Sequence, residues 1–184
     1  RQHGVRAAKD KWLFFLDGDD LVSENWFRDA MLKAASDKNS LRTIYHTELF
    51  VGFDAQVFYR RAMRTADQEF DPYGLICDWF FCNNLFVHLS ILSDVNIEAY
   101  DHDAGFGAED WHWSCQTIAK GYARDFVPQT TYFYRIKPAE LSLGMSSGLM
   151  HKKSELFSRE YLDIFQKSKY GRRVGVFEAQ GEPK

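Results

Sequence analysis

A short apolar run at residues 12–16 ends abruptly at the acidic turn Asp17-Gly18-Asp19-Asp20. A continuous apolar run bounded by Gly and Asp is typical of a strand that is buried on both faces. Such a strand needs a covering layer on each side. In α/β sheets ligands gather beyond the carboxyl ends of the strands, which is where this turn would lie. The turn is therefore the first candidate site.

The rest of the chain predicts helices and strands in alternation, which favours an α/β layered domain. We predict the end of a helix within residues 1–10, and further helices at residues 23–37, 111–120 and 146–167. The predicted strands are two within residues 41–61, one near 84–87 and one over 123–136. We expect the domain to span residues 1–168 and to be followed by a mobile tail at 169–184.

Two of these helices carry a clear apolar stripe. Ser23 is a favourable N-cap for the first of them. Its expected core-facing residues, at helical spacing, are Phe27, Ala30, Met31 and Ala34. The second has its own stripe, and Gly121 supplies a C-terminal stop. The stripe consists of Trp111, Cys115, Ile118, Ala119 and Tyr122.

The composition bounds the functional classes. With 184 residues, 45% apolar and 16% aromatic side chains, the chain can bury the core of one domain. A net charge of -3 gives no broad basic face, which argues against a nucleic-acid partner. Cys77, Cys82 and Cys115 form no paired motif, so we expect buried thiols rather than disulfides or a zinc site. No apolar run reaches the length of about 18 residues that spans a bilayer, and we expect a cytoplasmic protein.

The acidic turn has the chemistry of a divalent metal site. Asp17, Asp19 and Asp20 offer hard oxygen ligands, and Mg²⁺ typically takes one or two protein carboxylates and leaves its other positions to phosphate and water. A metal there would neutralise the charge that develops on a diphosphate leaving group. An ordinary acidic turn is the alternative, because Asp and Gly are favoured in turns.

A second acidic pair, Glu109-Asp110, opens the predicted helix at residues 111–120. The helix dipole and the free N–H groups of the first turn keep a carboxylate there ionised and able to accept a proton, which suits a general base. First-turn acids also stabilise a helix without any catalytic role, and the pair alone does not separate these interpretations.

Taken together, these segments resemble the family 2 glycosyltransferases of the GT-A fold. The resemblance covers about residues 1–145. Its motifs are Arg1-Gln2-His3-Gly4, the apolar strand that ends in Leu16-Asp17-Gly18-Asp19-Asp20, the loop Gly105-Phe106-Gly107, and Glu109-Asp110-Trp111 followed by a helix that ends in Lys120-Gly121-Tyr122. It implies a GT-A-type mixed sheet flanked by helices, with a DXD motif in the acidic turn.

The resemblance also implies a reaction, the transfer of a sugar from a nucleotide diphosphate donor, UDP in the first instance, to a hydroxyl of a glycan or other acceptor. Asp19, with Asp17 or Asp20, matches the ligands of Mn²⁺ or Mg²⁺ and the diphosphate. Asp110 matches the catalytic base, and Glu109 matches a residue that orients the acceptor. Arg135 matches a position from which a cation contacts the diphosphate. The resemblance also implies a role in polysaccharide assembly and peripheral membrane contact of the full protein.

The chain departs from the family pattern in two places. Family members often have a histidine after the late strand, where this chain has Lys137 and Pro138. The family's first strands, which bind the nucleotide base, have no counterpart before Arg1. We therefore expect weak activity from the isolated chain, and self-association through exposed strand edges.

Within the glycosyltransferase interpretation, Trp111 and Trp113 are candidates for stacking on a sugar, although helical spacing favours a core role for Trp111.

Two other functions fit part of the pattern. One is a non-catalytic carbohydrate-binding relative of the same fold that uses its aromatic residues only to hold sugar. The other is a metal-dependent phosphotransferase or nucleotidyltransferase, which would also use paired acids after a strand. The first has no need of a base together with a metal site. The second usually needs a glycine-rich phosphate loop, which the chain lacks.

Overall fold

The computed structural model describes residues 2–76, 80–82, 84–98, 108–137 and 153–160. The helices are α1 (Gln2–Ala7), α2 (Trp26–Ser36), α3 (Leu89–Asp94) and α4 (Glu109–Ala119). The strands are β1 (Trp12–Phe14), β2 (Leu21–Val22), β3 (Thr43–Asp54), β4 (Phe58–Arg61), β5 (Phe86–His88) and β6 (Ala123–Ile136). Single 3-10 turns lie at Ser40–Arg42, Pro72–Ile76 and Glu155–Phe157.

The strands form one mixed sheet in the order β1-β5-β3-β6-β2, with β4 added to β3. The long central strands β3 and β6 run parallel, whereas each of the other pairs is antiparallel. A register break between Thr47 and Leu49 lets β3 and β6 stay paired along almost their whole length. The α/β mixed sheet with flanking helices is thus confirmed.

Alternation along the central strands buries both faces of the sheet, because successive side chains of a strand point to opposite sides. Ile44 and Val87 enter a cluster with Ile91 and Trp113, under α3 and α4. Their neighbours Tyr45 and Phe86 enter a cluster on the other face with Trp26, Ala30 and Ala34 of α2. A third cluster lies between α4 and the two later 3-10 turns, and it includes Leu75, Ile118 and Leu156.

The first strand differs from the prediction of a strand buried on both faces. β1 lies at one end of the sheet, its residues are half-buried, and it pairs antiparallel with β5. Its aromatic side chains pack on a ring of the neighbouring strand β5 instead. Phe14 stacks on Phe86 with centroids 4.2 Å apart, and Trp12 stacks on the same ring at 4.7 Å.

The predicted helix at residues 23–37 starts later than expected. Ser23 is not its N-cap, because the Ser23 hydroxyl accepts a hydrogen bond from the Thr131 N–H at 3.0 Å and thereby extends the pairing of β2 with β6. Asn25 precedes the first helical turn instead. The buried face also shifts by one residue, since Trp26 is buried while Phe27 and Met31 are exposed.

The later elements agree with the prediction up to residue 136. The two strands within residues 41–61, the strand near 84–87, the helix that starts near Trp111 and the strand over 123–136 are all present. The prediction of one continuous helix at residues 146–167 is wrong, because Ser154 and Ser158, on either side of the last 3-10 turn, are extended. The predicted tail lies outside the described residues.

Two of the three cysteines lie in the described part of the chain. Cys82 and Cys115 are free and buried, as predicted for thiols that pack as small apolar groups, and burial raises the pKa of each to about 12. Cys77 lies outside the described residues. No helix in the described ranges is long and apolar enough to cross a membrane.

Gly121, which follows the C-cap of α4, is the residue that we predict to stop this helix. Its φ of +74° is a left-handed conformation that costs an L-residue about 1–2 kcal/mol. We expect Gly121→Ala to lower the free energy of unfolding by about 1 kcal/mol once the entropy lost by the unfolded chain is included. Urea unfolding measures this. Gly18→Ala, where an added Cβ meets nothing within 4 Å, should change it by less than about 0.5 kcal/mol. Equal effects of the two substitutions would contradict the assignment.

Candidate functional site

The acidic turn is fixed against the end of β6 by Asp20. Its carboxylate is buried, with 5% of the residue exposed. One oxygen, Oδ1, accepts a hydrogen bond from the Arg135 N–H at 2.8 Å, and Oδ2 accepts a short one from the Tyr132 hydroxyl. The Asp20 N–H donates to the Asp17 carbonyl at 3.2 Å and closes the turn.

These contacts show that Asp20 holds the turn in place. Each of its oxygens accepts one hydrogen bond, and burial raises its pKa. Asp17 and Asp19 are half-buried and lie at the surface of the turn. Metal ligation by Asp17, Asp19 and Asp20 stays a prediction, and the two more accessible carboxylates are those of Asp17 and Asp19.

Asp19 carries an ion pair with Lys137, the residue directly after β6. The Lys137 Nζ lies 2.6 Å from Asp19 Oδ2, and both side chains are partly exposed. The pKa of Asp19 is lowered, chiefly by the hydrogen bond from Lys137. The pKa of Lys137 is raised by the same contact. The pair thus holds the carboxylate ionised at the position that the family pattern assigns to a metal ligand.

Arg135 precedes Lys137 by two residues and is exposed. Its guanidinium carbon lies 5.3 Å from the centroid of the Phe53 ring, and its charge contributes to the lowered pKa of Asp19. Arg135 and Lys137 together place two cations beside the acidic turn. That arrangement is suited to a ligand that brings both phosphate charge and a metal.

The second acidic pair opens α4. Glu109 and Asp110 occupy the first turn of the helix, and Asp110 Oδ1 accepts a hydrogen bond from the Trp111 N–H at 2.8 Å. Ala108 before them has φ +56°, a left-handed conformation that costs a non-glycine residue about 1–2 kcal/mol. The predicted loop Gly105-Phe106-Gly107 lies outside the described residues.

The pKa of Tyr134 in β6 is raised by carboxylates of both acidic segments. The residue is half-buried, and burial is the main cause of its raised pKa. Nearby carboxylates raise the pKa further by disfavouring the phenolate. These carboxylates are Asp20, Asp17, Asp19 and Asp110. Two segments far apart in the chain therefore act on one hydroxyl group.

A groove of about 280 Å³ leads to the same turn. It is lined by residues of α1, of β1 and of the segment after β1, and Asp17 is one of them. Val5, Leu13 and Phe15 supply apolar walls, and Gly4 of α1 faces it without a side chain. Its size is at the lower limit of small-molecule sites.

The tryptophans after Asp110 belong to the core rather than to a sugar-binding surface. Trp113 is 1% exposed, and its indole N–H donates to the Val95 carbonyl at 2.7 Å. The hypothesis that Trp113 stacks on a sugar is therefore wrong. Trp111 is partly buried, donates to the Leu75 carbonyl at 2.8 Å and packs against the third cluster, which favours the core role for it too.

Sequence reasoning did not find the two tyrosines of this site. Tyr132 fixes Asp20, and the pKa of Tyr134 responds to carboxylates of both acidic segments, yet the sequence marks neither as more than a strand residue. Their signal is the alternation Tyr132-Phe133-Tyr134, which puts two hydroxyls on one face of β6. Only the pairing of β2 with β6 shows which carboxylates that face meets.

The donor chemistry of the turn fits a metal held by two carboxylates. Mg²⁺ typically uses one or two protein carboxylates, and Asp17 and Asp19 can supply these. A site closed by protein alone is absent from the described ranges, where no group of three or more His, Cys, Asp or Glu side chains could hold a metal ion. The remaining ligands would have to come from water and from a bound phosphate.

A shift of the Tyr134 pKa tests the proximity of the two segments. We expect Asp110→Asn to lower it, because one of the negative charges that disfavour the phenolate is removed. A pH titration of tyrosines labelled with ¹³C at the ring carbon that bears oxygen, followed by NMR, measures the change. Asp29→Asn, in the first turn of α2, is the matched control and should leave Tyr134 unchanged. An unchanged Tyr134 pKa in the Asp110 variant would mean that the segments do not share a site.

The similarity of this chain to known proteins lies in its fold. No family model matches the chain, and no curated protein matches its sequence. Among solved structures, the chain is similar to a crystal structure of S. aureus TarS 1-349 in complex with UDP, with 14% identity and a TM-score of 0.49. The match covers 99% of this chain and 54% of that chain, so this chain spans about half of its length.

Proposed function

We propose that the chain is the metal-binding and acceptor-activating part of a family 2 glycosyltransferase of the GT-A type. The proposal is supported by two acidic segments, the turn at residues 17–20 and the pair Glu109-Asp110 at the start of α4, and carboxylates of both segments contribute to the raised pKa of Tyr134. A glycosyl transfer needs the leaving diphosphate and the attacking hydroxyl on either side of one sugar. The two acidic segments are the groups that would serve these two ends.

The donor end is the acidic turn. Asp17 and Asp19 would hold Mn²⁺ or Mg²⁺, which neutralises the charge on the departing diphosphate. Asp20 keeps the turn in place through Tyr132 and the Arg135 N–H. The Arg135 side chain could contact a phosphate oxygen by rotating from the Phe53 ring. The groove that ends at Asp17 would give the donor an apolar wall.

The acceptor end is the first turn of α4. Asp110 would take the proton of the acceptor hydroxyl as that oxygen attacks the sugar carbon, and the bond from this carbon to the diphosphate would break on the opposite face. The helix dipole favours the ionised carboxylate that this step requires. Glu109, the neighbour in the same turn, would orient the acceptor. UDP is the proposed nucleotide, and a glycan hydroxyl is the proposed acceptor.

A non-catalytic carbohydrate-binding role is less well supported. Such a role depends on exposed aromatic faces, and Trp113 is buried in the core. The ion pair of Asp19 and the position of Asp110 beside the same tyrosine have no use in a module that only holds sugar.

A nucleotide-release assay tests the proposal. The longest natural form of the protein is incubated with UDP-sugars, acceptor glycans and Mn²⁺, and free UDP is measured. We expect UDP release that needs both acceptor and metal, stops with EDTA and returns with excess Mn²⁺. No release from any nucleotide sugar, together with sugar binding that ignores Mn²⁺, would favour the binding module instead.

A further inference from the structure

Lys137 forms an ion pair with a carboxylate of the proposed metal site. Its ammonium lies 2.6 Å from Asp19 Oδ2, a distance that leaves no room for a cation between them. A divalent ion that approaches Asp19 on the side of Lys137 would therefore compete with its ammonium for this carboxylate. The pair is accessible to solvent, with 40% of the Lys137 side chain and 37% of the Asp19 side chain exposed, so the exchange needs no unfolding.

The displaced ammonium would remain at the same end of β6. Lys137 directly follows the strand, and the backbone before it is held by the hydrogen bond from the Arg135 N–H to Asp20. A lysine has a flexible four-carbon stem and a compact charge, which suits it to swing between two anionic partners. With Asp19 occupied by a metal, a diphosphate that completes the metal's coordination would be a new anionic partner for this charge.

We propose that Lys137 is a diphosphate-binding residue that occupies Asp19 until a divalent cation replaces it. This inference rests on the proposed function, because it takes the metal and the nucleotide diphosphate as ligands of the turn. It assigns to Lys137 two effects of opposite sign. The lysine weakens the binding of the metal alone, and it strengthens the binding of the nucleotide once the metal is present.

The two effects can be sized from simple electrostatics. An exposed ion pair is weak, because solvent screens it and two long side chains lose freedom when they form it. Loss of the competing ammonium should therefore tighten metal binding about two- to fivefold. Loss of one phosphate contact should weaken nucleotide binding by a similar factor.

The experiment is a pair of calorimetric titrations on this chain and on Lys137→Met, which keeps most of the apolar stem. Mn²⁺ is titrated first alone, and UDP is then titrated at saturating Mn²⁺. Lys120→Met is the matched control, because Lys120 forms a similarly exposed ion pair, 3.1 Å from Asp94, without touching the site. We expect tighter Mn²⁺ binding and weaker UDP binding in the Lys137 variant, with both unchanged in the control.

The outcomes separate this inference from the proposed function. If Mn²⁺ binds the unmodified chain but either affinity fails to shift in its expected direction in Lys137→Met, the inference is overturned and the metal site stands. If Mn²⁺ binds none of the proteins, the proposed metal site is contradicted, and the inference with it. Lys137→Arg gives a further check, since a retained cation should keep UDP binding closer to that of the unmodified chain than Met does.

Discussion

Replacement of Asp110 by Asn should lower the rate of sugar transfer about 10²- to 10⁴-fold, because the side chain keeps its shape and loses its ability to accept a proton. Asp110 accepts a hydrogen bond from the Trp111 N–H through Oδ1, and an amide oxygen can accept the same bond. The structure around the first turn of α4 should therefore stay intact. Steady-state kinetics on the longest natural form of the protein measure the effect.

The pattern of kinetic constants distinguishes a base from a structural residue. Loss of the base should reduce kcat and kcat/KM for the donor to the same extent, with the affinity for UDP largely unchanged. Asp29→Asn, the matched change in the first turn of α2, should leave the kinetic constants within about twofold of the unmodified protein. A rate for Asp110→Asn that stays within about tenfold of the unmodified protein would remove Asp110 as the base.

Replacement of Asp20 by Ala should cost about 2–4 kcal/mol of unfolding free energy, which is the largest stability change that we expect in the acidic turn. The substitution leaves the Tyr132 hydroxyl and the Arg135 N–H without their acceptor, and a buried donor without a partner costs about 1–3 kcal/mol. Chemical denaturation with urea measures the change. Asp19→Ala, at the exposed position of the same turn, should cost less than about 1 kcal/mol.

A double-mutant cycle isolates the contact that is responsible. Tyr132→Phe removes only the hydroxyl that donates to Asp20. Its effect should be smaller in the Asp20→Ala background than in the unmodified chain, since the bond is already lost there. Additive effects of the two substitutions, or equal stability of the Asp19 and Asp20 variants, would show that Asp20 does not hold the turn.

The sequence predicts the local part of this site well, because the signals are local. An apolar run that stops at an acidic cluster marks β1 and the turn after it. The stripe that includes Cys115 and Ile118, together with Gly121, marks α4 and thereby places Asp110 at a helix start. Neither inference needs a contact between distant parts of the chain.

Two of the failures, those at Ser23 and Asp20, have one physical cause, which is pairing over long sequence separation. Ser23 has the composition of an N-cap, yet its hydroxyl contacts Thr131, which lies 108 positions away. Asp20 has the same side chain as Asp17 and Asp19, and its different role is due to Tyr132, 112 positions away. The pairing of β2 with β6 determines both contacts, and a β2 strand of two residues carries too little pattern to predict that pairing.

The most direct test of the central claim is a calorimetric titration of UDP into this chain with and without Mn²⁺, repeated on the variant in which Asp17 and Asp19 are both Ala. We predict UDP binding that requires Mn²⁺ in the unmodified chain and is lost in the double variant. UDP binding that is the same with and without Mn²⁺, or that survives the double substitution, would contradict a metal-dependent donor site in the acidic turn.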